Sequence, residues 1–362
     1  MEVLSSSFFY FFAFLIVLSI IVFVHEFGHY YAAIINKVKV ETFSIGFGKE
    51  IYGWTDKRGT RWKIGYLPFG GYVKMFGEDS FTAKSVSKKE ERFSFSNKKL
   101  FQRFIIVLAG PLANFIFGII GFAIIYTFIG ISHVPPIINE VQENTPAYSS
   151  GLKSGDKILQ VDNNAIDSFH EIGTFINLYK KPSFTFKILR DSDEIILVVS
   201  PMIVVEDIYG KKRELRKIGI SSFQPEIKKT NIFYSLYLGT KSTYDICSIT
   251  IKALNQLIIG KGSIDDLGGP VKIAHFSGMM LEQGFLAFLN LIILLSVSIG
   301  LINLFPVPVL DGGHLLFYIF EGIIGRPINQ KIQKIFFKIG FILIITFAVF
   351  LTYNDIVSLF NF

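Results

Sequence analysis

Four stretches of this sequence are almost free of charge over lengths suited to a membrane. Residues 8–24 are apolar except for Ser19, and residues 104–131 are uncharged although they hold Pro111 and Asn114. Residues 285–310 are uncharged and end in NLFPVPVL. Residues 339–353 are shorter, with Lys338 at their edge placed to snorkel to the headgroups. A helix needs about 20 apolar residues to cross a hydrocarbon core. With 51% hydrophobic and only 18% charged residues, the chain lacks the polar surface of a soluble domain. The expectation is an α-helical polytopic membrane protein with four transmembrane helices. A fifth apolar stretch, 232–259, holds Lys241, Asp245 and Lys252 and reads as an amphipathic helix lying on something else. The first span follows MEVLSSS, which has an acid where a signal peptide has bases, and no small-residue cleavage site comes after it. It is expected to stay attached.

Charge orients these spans. Residues 31–101 carry 14 Lys or Arg against 7 Asp or Glu, whereas residues 132–285 carry 17 of each. The connection 310–338 holds Arg326, Lys331, Lys334 and Lys338. The positive-inside rule then puts 31–101 and 310–338 in the cytoplasm, and both termini with 132–285 outside. The net charge of +7 is thus mostly a topology signal, and it points to no nucleic acid. The single cysteine, Cys247, allows neither an internal disulfide nor a cysteine zinc cluster.

Four parts follow from these boundaries. Residues 1–131 hold the first two spans and a β element at about 40–77; 132–225 form a β-rich domain; 226–284 form an extracytoplasmic amphipathic connector; 285–362 hold the last two spans. In the second part, DKILQV, SFTFKIL and EIILVVS alternate as strands do, and NTPAYSSG carries turn and helix-start signals. The run from Pro146 to Ile166 resembles a PDZ domain of the bacterial protease-associated kind. Such domains take peptide ends onto a sheet edge. A domain that only packs, and binds no peptide, fits the same residues. In the β element, ETFSIGFGKEIYGW and TRWKIGYLPFGGYVKMFGE mix aromatic residues with glycines and read as a hairpin. Tips this apolar suggest a membrane-re-entrant hairpin; a hairpin resting on the membrane surface is the alternative.

The sequence HEFGH interrupts the apolar run of the first span. His25 and His29, four apart, share one helical face, with Glu26 one step around. An intramembrane carboxylate costs about 2.5–3.5 kcal/mol even on lenient scales, so these groups need partners. One Zn²⁺ held by two neutral imidazoles satisfies the cluster and leaves room for a water whose acidity the metal raises. Glu26 is placed to take the proton of that water and pass it to a leaving amine. A third ligand should lie at similar depth, and Asp311 in NLFPVPVLDGGH does, on the cytoplasmic side by the charge argument. Pro306 and Pro308 are expected to break the helix there, and Gly312 and Gly313 to let the backbone turn. His314 reads as a supporting residue rather than a ligand. Asn114 is expected to bond a neighbouring helix or to contribute near the site. His133, His170 and His275 read as surface or packing residues.

Together HEFGH, SIGFGKE, LPFGGYVKMFGE, AGPLAN, GGPVKIA, NLFPVPVLDGGH and the late YND resemble the site-2 protease family of intramembrane zinc metalloproteases, in particular its bacterial regulator-of-sigma-E branch. The resemblance implies His25, His29 and Asp311 as zinc ligands, Glu26 as the catalytic glutamate, and Asn303 as the residue holding the substrate backbone. It also implies a β element that receives substrate, transmembrane proteins as substrates, and a multi-pass location in the bacterial inner membrane. The best-known members of that branch carry two tandem PDZ domains, whereas 132–230 has room for one. Two rival readings fit less well. A membrane-anchored PDZ adaptor with an inactive metal site would be expected to lose Glu26 or a ligand, and all four are present. A CAAX-type protease would take a glutamate ligand, and no ExxxD-like pattern lies in the third or fourth span.

Overall fold

The computed structural model describes residues 2–78, 91–208, 211–224, 226–260 and 268–360. The chain divides into two compact units, residues 1–123 with 236–361 and residues 124–235. In chain order come α1 (Glu2–Ile35), β1 (Val40–Thr55), β2 (Arg61–Met75) and α2 (Leu100–Phe128). Strands β3 (Ile131–His133), β4 (Ile138–Val141), β5 (Lys157–Val161) and β6 (Asn164–Ala165) lead to α3 (Phe169–Tyr179). After it come β7 (Phe184–Arg190), β8 (Asp193–Val199), β9 (Met202–Ile208), β10 (Lys211–Lys217), β11 (Ile220–Ser222) and β12 (Glu226–Lys228). Helices α4 (Ile232–Ile258), α5 (Pro270–Glu282), α6 (Phe285–Asn303), α7 (Asp311–Ile324) and α8 (Gln330–Phe360) complete the chain.

Among the described residues, four helical segments are long and apolar enough to cross a membrane: Phe8–Ile35, Leu100–Phe128, Phe285–Asn303 and Lys331–Val357. The chain is a polytopic membrane protein. The amphipathic stretch at 232–259 is helical and is not one of the four. The third apolar run breaks where the prolines were expected to break it, its helix ending at Asn303. Pro306 and Pro308 have no N–H to continue the ladder, so the chain turns instead, with the Val307 and Leu310 N–H groups donating to Phe305 and Val307 carbonyls. The connection 310–338 contains a helix that was not anticipated, the 14 residues of α7. At 1.5 Å per residue that helix is about 21 Å long, too short to span.

Small residues let the first unit close up. A Cβ on Gly28 of α1 would lie 2.7 Å from the Ala113 Cβ of α2 and overlap the Ala109 carbonyl. Gly118 and Gly121 take the side chains of Val297 and Ile293 from α6. Close backbone approach of this kind holds helices together where lipid removes the hydrophobic drive. Ala13, Val17 and Ile21 of α1 pack on Phe288 and Ile292 of α6.

The β element is more folded than a simple hairpin. Thr42, Phe43 and Ser44 each pair with two residues of β2, Phe43 with both Val73 and Trp62, while Tyr52–Thr55 pair with 61–64. The antiparallel order is therefore 50–55, 61–65, 40–47, 71–75. Gly46 and Gly48, at φ +83° and +85°, allow β1 to bend back. This leaves 71–75 as the edge run beside α1. A side chain at Gly71 would come within 2.6 Å of Val22 Cγ1 and 3.2 Å of Glu26 Cγ.

The second unit holds the expected strands in β5, β7 and β8, within a sheet ordered β6-β5-β7-β8. The PAYS turn of the start signal forms one helical turn, with the Tyr148 N–H donating to Thr145 Oγ1. Ile172 and Ile176 of α3 join Ile138, Val161, Phe184, Phe186 and Ile188 in the core. The β9–β10 hairpin was not anticipated.

Candidate metal centre

His25 and His29 lie on adjacent turns of α1, with ring centroids 4.9 Å apart. Along the helix His25 lies about 26 Å after Phe8, with about 15 Å of helix still to come. The group is thus embedded in the apolar segment rather than hung from its end. Asp311 is the first residue of α7, next to the helix N-terminus, where the backbone dipole favours a carboxylate. The chain reaches it by folding back on α6. A Cβ on Gly312 would overlap the Leu304 and Phe305 carbonyls, and one on Gly313 would lie 2.6 Å from the Val307 carbonyl. Two glycines are thus needed where α7 starts. Further along, Glu321 of α7 pairs with Arg103 of α2 at 2.6 Å, with both side chains largely buried.

The three side chains converge. His25 Nε2 lies 3.0 Å and His29 Nε2 3.4 Å from Asp311 Oδ2, and the two Nε2 atoms are 3.3 Å apart. Zinc–nitrogen and zinc–oxygen bonds of about 2.0–2.1 Å at tetrahedral angles put ligand atoms about 3.3–3.4 Å apart, so these separations suit one ion. The His29 Nδ1–H donates to the Ile106 carbonyl at 2.9 Å, which leaves Nε2 of the neutral ring a bare lone pair. Asp311 Oδ2 is buried and has no hydrogen-bond partner despite its proximity to both rings. Lone pairs and a carboxylate oxygen turned on one point fit a cation. Among the described residues these three form the group able to hold a metal.

Glu26 does not join them. Its carboxylate faces the backbone N–H of Val73 on the edge run, so it stands between the His25, His29 and Asp311 cluster and the sheet. One cavity of about 1140 Å³ contains the whole arrangement; His25, Glu26, His29, Asn303, Asp311 and Gly71 are among its walls. Asn303 ends α6 at this cavity, and all five residues singled out by sequence therefore meet there. His314 also lines it, but its ring packs at a tilt against Phe337, centroids 4.5 Å apart, and lies outside the converging trio. Burial holds its imidazole below the ordinary pKa. His275 packs edge-on against Tyr10 and His170 is exposed; the side chain of His133 is outside those described.

Several contributions were hidden in the sequence. The Ile106 carbonyl that fixes His29 is backbone and has no residue signature. Gly110 lies against the His29 ring, where a Cβ would overlap it. Asn114, by contrast, was expected to bond a neighbouring helix or contribute near the site; it is fully buried with Nδ2 3.3 Å from His25 Nδ1 of α1.

A soluble protease with this motif keeps its HExxH helix under a water-filled cleft. Here the helix is one of four apolar segments, and Asp311, the third member of the cluster, follows another of them. The class is that of membrane zinc metalloproteases. Comparison with known sequences agrees: the profile of peptidase family M50 matches residues 13–347, and the chain belongs to this family, the site-2 proteases. A protein of Rickettsia conorii named as a zinc metalloprotease is 41% identical over 96% of this chain and 98% of its own. One of Agrobacterium fabrum, similarly named, is 40% identical over 96% and 95%. The metalloprotease MmpA of Caulobacter vibrioides is 33% identical over 94% of each chain. A solved PDZ domain from an SdrC-like protein of Listeria monocytogenes aligns with 25% of this chain and 88% of its own at 22% identity. Its TM-score of 0.20 is too low to carry a fold assignment.

Proposed function

We propose that this enzyme hydrolyses peptide bonds within or next to transmembrane segments of other membrane proteins, as a step of regulated intramembrane proteolysis. The observation that carries the reading is the position of the converging His25, His29 and Asp311 on and beside apolar helices, in a cavity shared with an edge strand. In this reading His25, His29 and Asp311 hold zinc, and Glu26 is the general base. Zinc supplies Lewis-acid polarisation of the scissile carbonyl and raises the acidity of water at the site. Glu26 accepts a proton from water as the oxygen bonds to the carbonyl carbon. It then returns that proton to the amide nitrogen as the C–N bond breaks. A transmembrane helix bonds its amides internally, so a few residues must unwind first. The edge run 71–75, next to Glu26, offers backbone groups for strand addition, and Asn303 holds a freed backbone group of the substrate.

The rest of the proposal concerns placement and partners. The chain sits in a bacterial inner membrane with termini and the 132–225 domain outside, the site toward the cytoplasm, and the β element re-entering the bilayer. The domain is PDZ-like and receives peptide ends; a groove of about 350 Å³ between α3 and residues 215–220, lined by Phe169, Ile172 and Ile176, supports this. The enzyme's substrates are anti-sigma factors or remnant signal peptides. Glu26→Gln tests the mechanism. It should keep zinc and abolish cleavage, and membrane fragments should accumulate around the variant in quantitative proteomics of isolated membranes. Unchanged fragment levels alongside full activity of the variant would sink the proposal.

A further inference from the structure

We infer that Asn114 is the positioning residue of His25, its amide oxygen accepting the Nδ1 proton so that Nε2 faces the metal as a lone pair. The inference rests on the zinc-site reading above. A histidine can ligate through Nε2 only if its proton is on Nδ1, and that proton needs a buried acceptor. For His29 the acceptor is the Ile106 carbonyl. For His25 the group within reach of Nδ1 is the Asn114 amide, at 3.3 Å. As placed, the amide turns Nδ2 toward the ring, and Asn114 Oδ1 is buried without a partner. Amide nitrogen and oxygen have nearly the same shape, so half a turn about the last bond exchanges them. Oδ1 then gains the Nδ1–H, and Nε2 becomes free to ligate. With the other orientation the ring proton would sit on Nε2, between His25 and the carboxylate, where the ion belongs.

The surroundings fix this side chain from a third helix. A Cβ on Gly300 of α6 would lie 2.9 Å from the Asn114 Cβ, so α6 presses on the residue directly. The buried Ser296 hydroxyl, also on α6, donates to the Asn114 carbonyl at 3.5 Å. Ile106 and Asn114 are eight residues apart, two turns and about 80° around α2. One helix thus orients both imidazoles, through a backbone carbonyl for His29 and a side-chain oxygen for His25.

The test uses full-length protein in detergent, stripped of metal and titrated with Zn²⁺ against a competing chelator. Asn114→Leu removes the acceptor at similar volume and should weaken zinc 10–100-fold, the usual effect of losing such a partner. Asn114→Asp keeps an acceptor and should bind zinc at least as tightly as the native chain. A purely structural role would predict the reverse order, since a buried carboxylate disturbs packing more than leucine does. Native affinity in the leucine variant, or an aspartate variant no better than leucine, overturns the inference. If the leucine variant does not purify, Asn114→Asp decides alone, and binding weaker than native overturns it. His25→Ala and Asp311→Ala run in parallel: if neither weakens zinc, the site reading itself fails, independently of Asn114.

Discussion

Replacing Gly110 with alanine separates the metal centre from the fold. Alanine is the better helix former by about 1 kcal/mol, and Gly110 is in the interior of α2. The new methyl, however, would lie 2.9 Å from Cδ2 of His29 and closer still to Nε2 and Cε1. Carbon atoms in contact prefer about 3.5–4.0 Å, so the ring must move on the order of 1 Å. The ring cannot make that movement and also keep its 2.9 Å bond to the Ile106 carbonyl. A working metal site holds its ligand distances to about 0.2 Å. His29 is therefore lost as a ligand. Losing a partner behind a ligand costs 10–100-fold in affinity, so losing the ligand itself should cost roughly 100-fold or more.

The fold should hardly notice. Overpacking costs about 1–3 kcal/mol, and the propensity gain offsets about 1 kcal/mol of that. Metal-free Gly110→Ala should thus be less stable by no more than about 2 kcal/mol. Zinc affinity by chelator competition, with thermal unfolding of the metal-free protein, reads both quantities. Gly173→Ala in α3 is the control, because a Cβ there meets nothing within 4 Å. It should gain about 1 kcal/mol and leave zinc unchanged. Native zinc affinity in Gly110→Ala would refute the assignment of His29 as a ligand pressed against this glycine.

Three further perturbations have expected signs. Val307–Leu310 is a turn closed by the Leu310 N–H at 3.2 Å, with Pro308 second and Val309 third at φ +80°, where glycine is usual. A left-handed conformation costs a non-glycine residue about 1–2 kcal/mol, and glycine costs about 0.5–1 kcal/mol in entropy. Val309→Gly should therefore be neutral or stabilising by up to about 1.5 kcal/mol in thermal unfolding, and a clear loss would contradict the strain. At Asp56, burial pushes the carboxyl pKa up, but hydrogen bonds from Trp62, the Thr60 and Arg58 N–H groups and Tyr30 outweigh it and hold the pKa below its ordinary value. A depressed carboxyl stabilises the fold above its unfolded value of about 3.9, and that contribution disappears as pH falls through the folded pKa. Both tryptophans, Trp54 and Trp62, are in the β element, so their fluorescence should report its loosening below about pH 4, and Asp56→Asn should remove that step. In the second unit the fully buried Asp156 takes Arg190 Nε at 2.7 Å and Nη2 at 2.8 Å. Arg190→Met strands this carboxylate, at a cost of about 3–5 kcal/mol. Limited proteolysis should then cut within 124–235 while zinc binding persists.

What the sequence made legible was what side-chain type and spacing encode. The four apolar runs, HEFGH on one helical face and Asp311 beside a broken helix were all readable, since cost, periodicity and proline chemistry are local. What escaped depends on shape or on backbone. Helix α7 was hidden because basic residues drew 310–338 into a charge argument, while its LLFYIFEGII is too short to read as a span. The β9–β10 hairpin escaped because KKRELRK has one apolar residue and thus no apolar alternation to detect. The double pairing of Thr42–Ser44 depends on how glycines bend β1, and no alternation pattern records that.

The polar residues of α1 are thus only part of the centre, and α2 is the element that makes them serviceable. It supplies the Ile106 carbonyl to one imidazole and places the Asn114 amide at the other. Its Gly110 leaves space for the His29 ring, and its Arg103 fastens α7, the helix that begins with Asp311. None of these four groups is one of the converging atoms, and two of them act through backbone or through the absence of a side chain. An HExxH helix transplanted without α2 would carry both imidazoles but not their tautomers or their spacing. Conservative changes on α2 should accordingly reduce zinc affinity more than they reduce stability, the opposite of what a helix that merely packs would show.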